Sequence, residues 1–193
     1  MSVLNNPIRV ILMGPPGAGK GTQGEILAAL WQVPRIAPGD IFRAEIKAET
    51  ELGLKVKAFS DSGKLVPDET VIELMRSRLN QPDTSSGWIL DGFPRTVVQA
   101  ESLDMLLAEM SQVYDYVINL EVPDHILIER LLLRAKQDGR VDDTEDVIKN
   151  RLQEYYAKTK PLLDFYGQRV IVIDGTPVLS EVTKDIQNKL GSL

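Results

Sequence analysis

The chain contains no cysteine and a single histidine, His125. The first absence excludes disulfides, thiolate nucleophiles and cysteine-held zinc together. The second leaves no histidine cluster for a metal, and His125 itself reads as a surface residue. Bases are outnumbered, 22 Lys and Arg against 28 Asp and Glu, giving a formal net charge of −6. No broad basic face for nucleic acid or an anionic membrane is therefore expected. Apolar runs stay well short of the ~18 residues that span a bilayer. The opening seven residues lack the basic start and apolar stretch of a secretion signal, so no leader is expected. What is present is a 193-residue chain, 43% hydrophobic and 26% charged, the balance of one globular unit with a full core. With no heptad seam or unexplained apolar stripe, a cytoplasmic monomer is expected.

Short apolar runs alternate with longer helical patterns. Ile8–Met13, Trp88–Leu90, Tyr116–Leu120 and Val170–Ile173 read as buried strands, with Val33–Ile36 a weaker fifth. Runs without polar alternation suit a parallel sheet covered on both faces. Between them, Thr96 and Gln99 have capping-box spacing and open a helix through about Met110. A second helix starts at Pro123-Asp124, with Ile128, Leu131 and Leu132 as its expected apolar stripe. Val147, Ile148, Leu152 and Tyr155 form the stripe of a third. Trp31, Trp88, Tyr155 and Tyr156 read as packing residues, and Asp40 as a helix N-cap. The pattern predicts a three-layer α/β fold with a central five-stranded parallel sheet and helices on both faces. Two polar excursions, about 40–66 and 135–142, interrupt it, either as mobile flaps over a site or as plain surface insertions.

The strongest chemical signal is Gly14-Pro15-Pro16-Gly17-Ala18-Gly19-Lys20-Gly21-Thr22, directly after a strand and before a helix. Such a bend turns successive N–H groups onto a phosphate, and the helix start and Lys20 add positive charge. The general pattern places Ser or Thr after the lysine to touch magnesium. Here Gly21 stands there, so the metal is expected on nucleotide phosphates and water. Asp91, at the carboxyl end of a strand, is placed to orient metal-bound water. Arg95 follows it with a planar guanidinium suited to gripping phosphate.

These blocks, with Gly39-Asp40-x-x-Arg43, Gly63-Lys64-Leu65-Val66, Asp91-Gly92-Phe93-Pro94-Arg95-Thr96, Asp138-Gly139-Arg140-Val141-Asp142-Asp143, Arg151 and Asp174-Gly175-Thr176, resemble adenylate kinase, a short-lid nucleoside monophosphate kinase. The resemblance covers nearly the whole chain in order. It implies one P-loop kinase domain over 1–193, with 37–66 as an inserted monophosphate-binding lobe and 134–144 as a short lid without zinc. It implies reversible phosphoryl transfer from ATP to AMP with Mg2+, giving two ADP. Gly17, Ala18, Gly19, Lys20, Gly21, Thr22, Arg134 and Pro177 match ATP-binding positions. Pro38, Arg43, Lys64, Leu65, Val66, Gly92, Phe93, Pro94, Arg95 and Gln99 match AMP-binding ones. Arg130, Arg140 and Arg151 match the arginines around the transferred group.

Plainer roles compete. Arg130 and Arg134, four apart, suit surface ion pairs, and Gln99 suits capping. One departure bears on the acceptor. The family places Ser-Thr where this chain has Ala37-Pro38, and proline has neither hydroxyl nor N–H to read a base. A UMP or CMP kinase and a non-catalytic nucleotide sensor are the other readings. The full set of phosphate-binding arginines weighs against the sensor.

Overall fold

The computed structural model describes residues 8–137 and 144–191. Five strands, β1 (Ile8–Met13), β2 (Arg35–Ile36), β3 (Gly87–Asp91), β4 (Tyr116–Glu121) and β5 (Val170–Asp174), lie in the order β2-β3-β1-β4-β5. All pairings are parallel, with β1 between β3 and β4; Ile11 stands opposite Leu90 on one side and Val117 on the other. Among the described residues, eight α-helices lie in the connections and a ninth follows β5. They are α1 (Lys20–Trp31), α2 (Pro38–Lys47), α3 (Glu51–Ser62), α4 (Asp68–Leu79), α5 (Val97–Glu109), α6 (Asp124–Gln137), α7 (Glu145–Glu154), α8 (Leu162–Tyr166) and α9 (Leu179–Gly191).

The uninterrupted apolar character of β1 has a direct cause. Ile11 and Met13 face one core with α4, α5 and α8, whereas Ile8, Val10 and Leu12 face the other with α1, α6, α7 and α9. A strand covered on both faces has no solvent side, so its alternation is invisible in polarity. The chain leaves β1 toward β2 on one flank, and β4 lies on the opposite flank. A crevice opens where the connections diverge, at the carboxyl ends of the strands.

Three sequence expectations are corrected by packing. The apolar stripe of α6 is Leu127 and Leu131, both fully buried; Ile128 and Leu132 lie toward solvent, 37% and 38% exposed. This helix has apolar residues on more than one face, and only the neighbouring elements decide which pair is covered. Tyr155 is buried, but Tyr156 is exposed and its hydroxyl donates to Asp124. Asp40 does not cap α2. Ala37 holds the cap position, Pro38 supplies the first turn, and Asp40 forms ion pairs instead.

The α6 stripe has a measurable consequence. Leu131→Ala should lower the unfolding free energy by ~2–5 kcal/mol, as expected for a buried leucine, and Ile128→Ala by under ~1 kcal/mol. Urea unfolding of both variants checks the order; equal losses would contradict it.

Candidate active site

The loop after β1 is built from conformations that side chains resist. Gly14 has φ +134, and a Cβ there would stand 2.6 Å from the carbonyl oxygen of Leu120. Gly17, at φ +86, would press a Cβ to 3.0 Å from the Leu131 side chain. Glycine is thus required by both backbone and space. Gly19 caps α1 in the left-handed region, with no side-chain cap bond and no acid in the first turn. The N–H groups at this helix start are left for an anion. Lys20 folds back across the loop, its ammonium donating to the carbonyls of Gly14 at 2.8 Å and Pro15 at 2.9 Å.

The loop is one wall of a cavity of about 700 Å3. The ATP-side positions Gly17, Ala18, Gly19, Lys20, Gly21, Thr22, Arg134 and Pro177 all line it. So do Pro38, Arg43, Lys64, Leu65, Val66, Gly92, Pro94, Arg95 and Gln99, together with Asp91, Arg130 and Arg151. The Phe93 side chain is the exception: it packs in the core, 2% exposed, and leaves its neighbours Gly92 and Pro94 in the wall. Arg140 lies outside the described residues. Among the described residues, eight cationic side chains line the cavity against four acidic ones, Glu25, Asp40, Asp91 and Glu154. A chain of net charge −6 thus has a locally cationic cleft, which is what polyphosphate requires.

Burial, and after it the neighbouring charges, shows in the protonation of these groups. Burial pushes the Lys20 ammonium down to about 8; Asp91 opposes that, and Arg95, Arg134 and Arg35 reinforce it. Burial likewise lowers Arg95, again with Asp91 opposing and Arg151 and Arg43 adding. The Arg95 guanidinium is steadied by its Nε–H bond to the Gly92 carbonyl at 2.8 Å. Arg130 is not in a surface ion pair; it donates to the carbonyls of Gly175 at 2.8 Å and Thr176 at 3.2 Å. It thereby ties α6 to the loop that carries Pro177.

Sequence reasoning missed Arg35. From β2 it donates Nε–H and Nη2–H to Asp91 Oδ2, at 3.0 and 2.5 Å, and Nη1–H to Asp40 Oδ2 at 2.6 Å. Asp40 then accepts from Arg43. One chain of charged bonds therefore runs from the acid beside the P-loop to an arginine on α2. Burial alone would lower Arg35, but Asp91 and Asp40 hold it above its ordinary value. Space for it comes from two glycines of α1. A Cβ at Gly21 would meet Arg35 Nη2 at 3.2 Å, and one at Gly24 would meet Arg35 Cδ at 3.0 Å. The available signal was a charged residue inside a buried strand next to the phosphate loop. Its partner Asp91 is 56 residues away and could not be read from spacing.

A glycine-bent phosphate loop at the switch point of a parallel sheet, faced by a ring of arginines, defines a P-loop phosphotransferase site. Comparison with known proteins resolves the class. The adenylate kinase family model matches residues 12–171. An adenylate kinase of Cyanothece sp. is 52% identical over 187 residues, covering 96% of each chain. One from Synechococcus sp. is 50% identical over 182 residues, 93% of this chain and 94% of that one. One from Leptospira biflexa is 49% identical over 180 residues, 92% and 97%. The chain belongs to the adenylate kinase family.

The crowded lysine makes a pH prediction. From pH 8 to about 10.5 the unfolded chain keeps a proton on Lys20 that the folded chain has released. Folding stability contributed by this group therefore rises with pH across that window. Measured against Lys20→Met without nucleotide, the protein should gain about 1–2 kcal/mol between pH 8 and 10. Parallel curves for the two proteins would contradict the crowded ammonium.

Proposed function

We infer that the chain transfers the terminal phosphoryl group of ATP to AMP, reversibly, giving two ADP. The observation that carries this is the composition of the cavity: Lys20, Arg43, Arg95, Arg130, Arg134 and Arg151 converge with no histidine or cysteine among them. A phosphate acceptor is already ionised, so transfer to it needs no strong general base. The barrier falls through alignment and charge neutralisation. Two polyanions must be brought head to head, and a ring of fixed cations is the device that removes their repulsion.

The P-loop, Lys20 and Arg134 hold the donor phosphates in this reading. Arg43 and Arg95 hold the acceptor phosphate, with Leu65 and Val66 against its base or ribose. Arg151 stands beside the transferred group, and Arg140, outside the described residues, is assigned there by its family block alone. Arg130 supports the transferred group from behind by fixing the loop at Gly175 and Thr176. Among the described residues no three His, Cys, Asp or Glu side chains are grouped to hold a metal ion. Asp91, one oxygen of which carries both Arg35 bonds, suits orientation of metal-bound water. Mg2+ arriving with ATP would sit on phosphates and water and neutralise phosphate charge. Residues 37–66, which include α2 and α3, serve as the acceptor lobe, and 134–144, of which 138–143 lie outside the described residues, is assigned as the short lid. Closure of the acceptor lobe would exclude water, the competing acceptor. Among the described residues no helix is long and apolar enough to cross a membrane, and we place the protein in the cytoplasm as a monomer.

Phosphotransfer assays with MgATP and AMP, UMP, CMP or GMP test this. AMP should be the preferred acceptor. Lys20→Ala should remove most activity, and Arg95→Ala should slow turnover ~10²–10³-fold. Comparable turnover on UMP or CMP would overturn the AMP assignment, and none on any acceptor would overturn catalysis.

A further inference from the structure

Gln99 is 2% exposed and lines the cavity from the first turn of α5. Both ends of its amide are engaged. The Oε1 atom accepts the backbone N–H of Arg95 at 2.8 Å, and Nε2–H donates to Asp68 Oδ1 at 2.7 Å. The first bond departs from a capping box, in which the side chain would return to the N–H of Thr96 itself. The second crosses 31 positions to the start of α4. An acid in a first helical turn ordinarily needs no further explanation, because it favours the dipole. Here Asp68 turns across to α5, where Oδ1 also accepts the Thr96 hydroxyl at 3.0 Å. Thr96 in turn accepts the Gln99 N–H at 3.2 Å.

The two partners of the amide differ in kind. A carboxylate can only accept and a backbone N–H can only donate. One orientation of Gln99 satisfies both; the flipped amide would face N–H against N–H and oxygen against carboxylate. Once these bonds are made, the amide retains one N–H and one oxygen lone pair, in a fixed spatial order. A 6-amino purine offers a donor at position 6 beside a ring acceptor, whereas a 6-oxo purine offers an acceptor beside a ring N–H. A glutamine amide pairs with the first in one orientation and with the second only when flipped.

We propose that Asp68 is a positioning residue for acceptor specificity: together with the Arg95 N–H it fixes the Gln99 amide, so that the site selects a 6-amino purine monophosphate over a 6-oxo one. The proposal rests on the AMP reading above and assigns part of its discrimination to a residue that touches no substrate. Discrimination falls more heavily on this amide because Pro38 offers no hydroxyl in the cavity wall.

The test compares kcat/KM for AMP and inosine monophosphate, with MgATP, in the unaltered enzyme, Asp68→Ala and Asp68→Asn. Asp68→Ala removes the acceptor and should lower the AMP-to-inosine monophosphate ratio ~10-fold or more, with kcat for AMP within ~3-fold. Asp68→Asn keeps an acceptor oxygen and should retain most of the ratio. An unchanged ratio in Asp68→Ala would overturn the proposal while the AMP reading stands. Equal use of both acceptors by the unaltered enzyme would overturn both. A second readout needs no variant: in the nucleotide-free protein the Gln99 Nε2 proton bonded to Asp68 should exchange with solvent far more slowly than that of an exposed glutamine. Exchange of both Gln99 amide protons at the rate of an exposed glutamine would overturn the proposal, whether or not Asp68→Ala folds.

Discussion

Cations gathered in one cleft repel each other, and the rest of the molecule is arranged around that repulsion. Lys20 and Arg95 are both held below their ordinary protonation range, first by burial and then by neighbouring arginines, Arg95, Arg134 and Arg35 for the lysine and Arg151 and Arg43 for Arg95. The cost is limited in two ways before any phosphate arrives. Asp91, Arg35, Asp40 and Arg43 form, in that order, an alternating chain of charge. Lys20, Arg95 and Arg130 rest on backbone carbonyls, which can be given up without leaving a buried carboxylate unpaired. A nucleotide phosphate then relieves a repulsion already present, so electrostatic energy favours the loaded state.

The scaffold supplies this arrangement through close approach of backbone. The P-loop lies against Leu120 and Leu131 so tightly that Gly14 and Gly17 admit no side chain. Gly21 and Gly24 leave α1 bare on the side where Arg35 crosses it to reach Asp91. The same α6 that buries Leu131 against the phosphate loop carries Arg130 and Arg134 into the cavity. Packing and charge placement are thus one problem on this helix: its covered face fixes which way its arginines point.

The five strands and the P-loop were legible in the sequence because each is encoded locally, whereas most other cavity-lining positions followed only from the resemblance to a known family. A buried strand is a short apolar run, and a phosphate loop is a fixed spacing of glycines before a lysine. What was not legible depends on partners far along the chain. Arg35 gained its role from Asp91, 56 positions away, and Asp68 from Gln99, 31 away. The face of α6 was misassigned because two apolar stripes competed and only the fold chooses between them. Phe93 sits within a binding-type block, yet its side chain belongs to the core; a motif marks a stretch of backbone, not every side chain on it. Asp40 had the sequence position of a cap and took the chemistry of an ion pair once Arg35 and Arg43 came within reach.

If two nucleotides are seated end to end by the glycine-bent loop and its ring of arginines, a crystal structure with a two-headed adenine nucleotide will show it. One phosphate group should lie on the N–H groups of Gly17 to Thr22, with Lys20 and Arg134 turned to the donor end and Arg43, Arg95 and Arg151 to the acceptor end. Residues 37–66 should close over the acceptor. Guanidinium groups facing bulk solvent, with the nucleotide bound elsewhere, would contradict this seating.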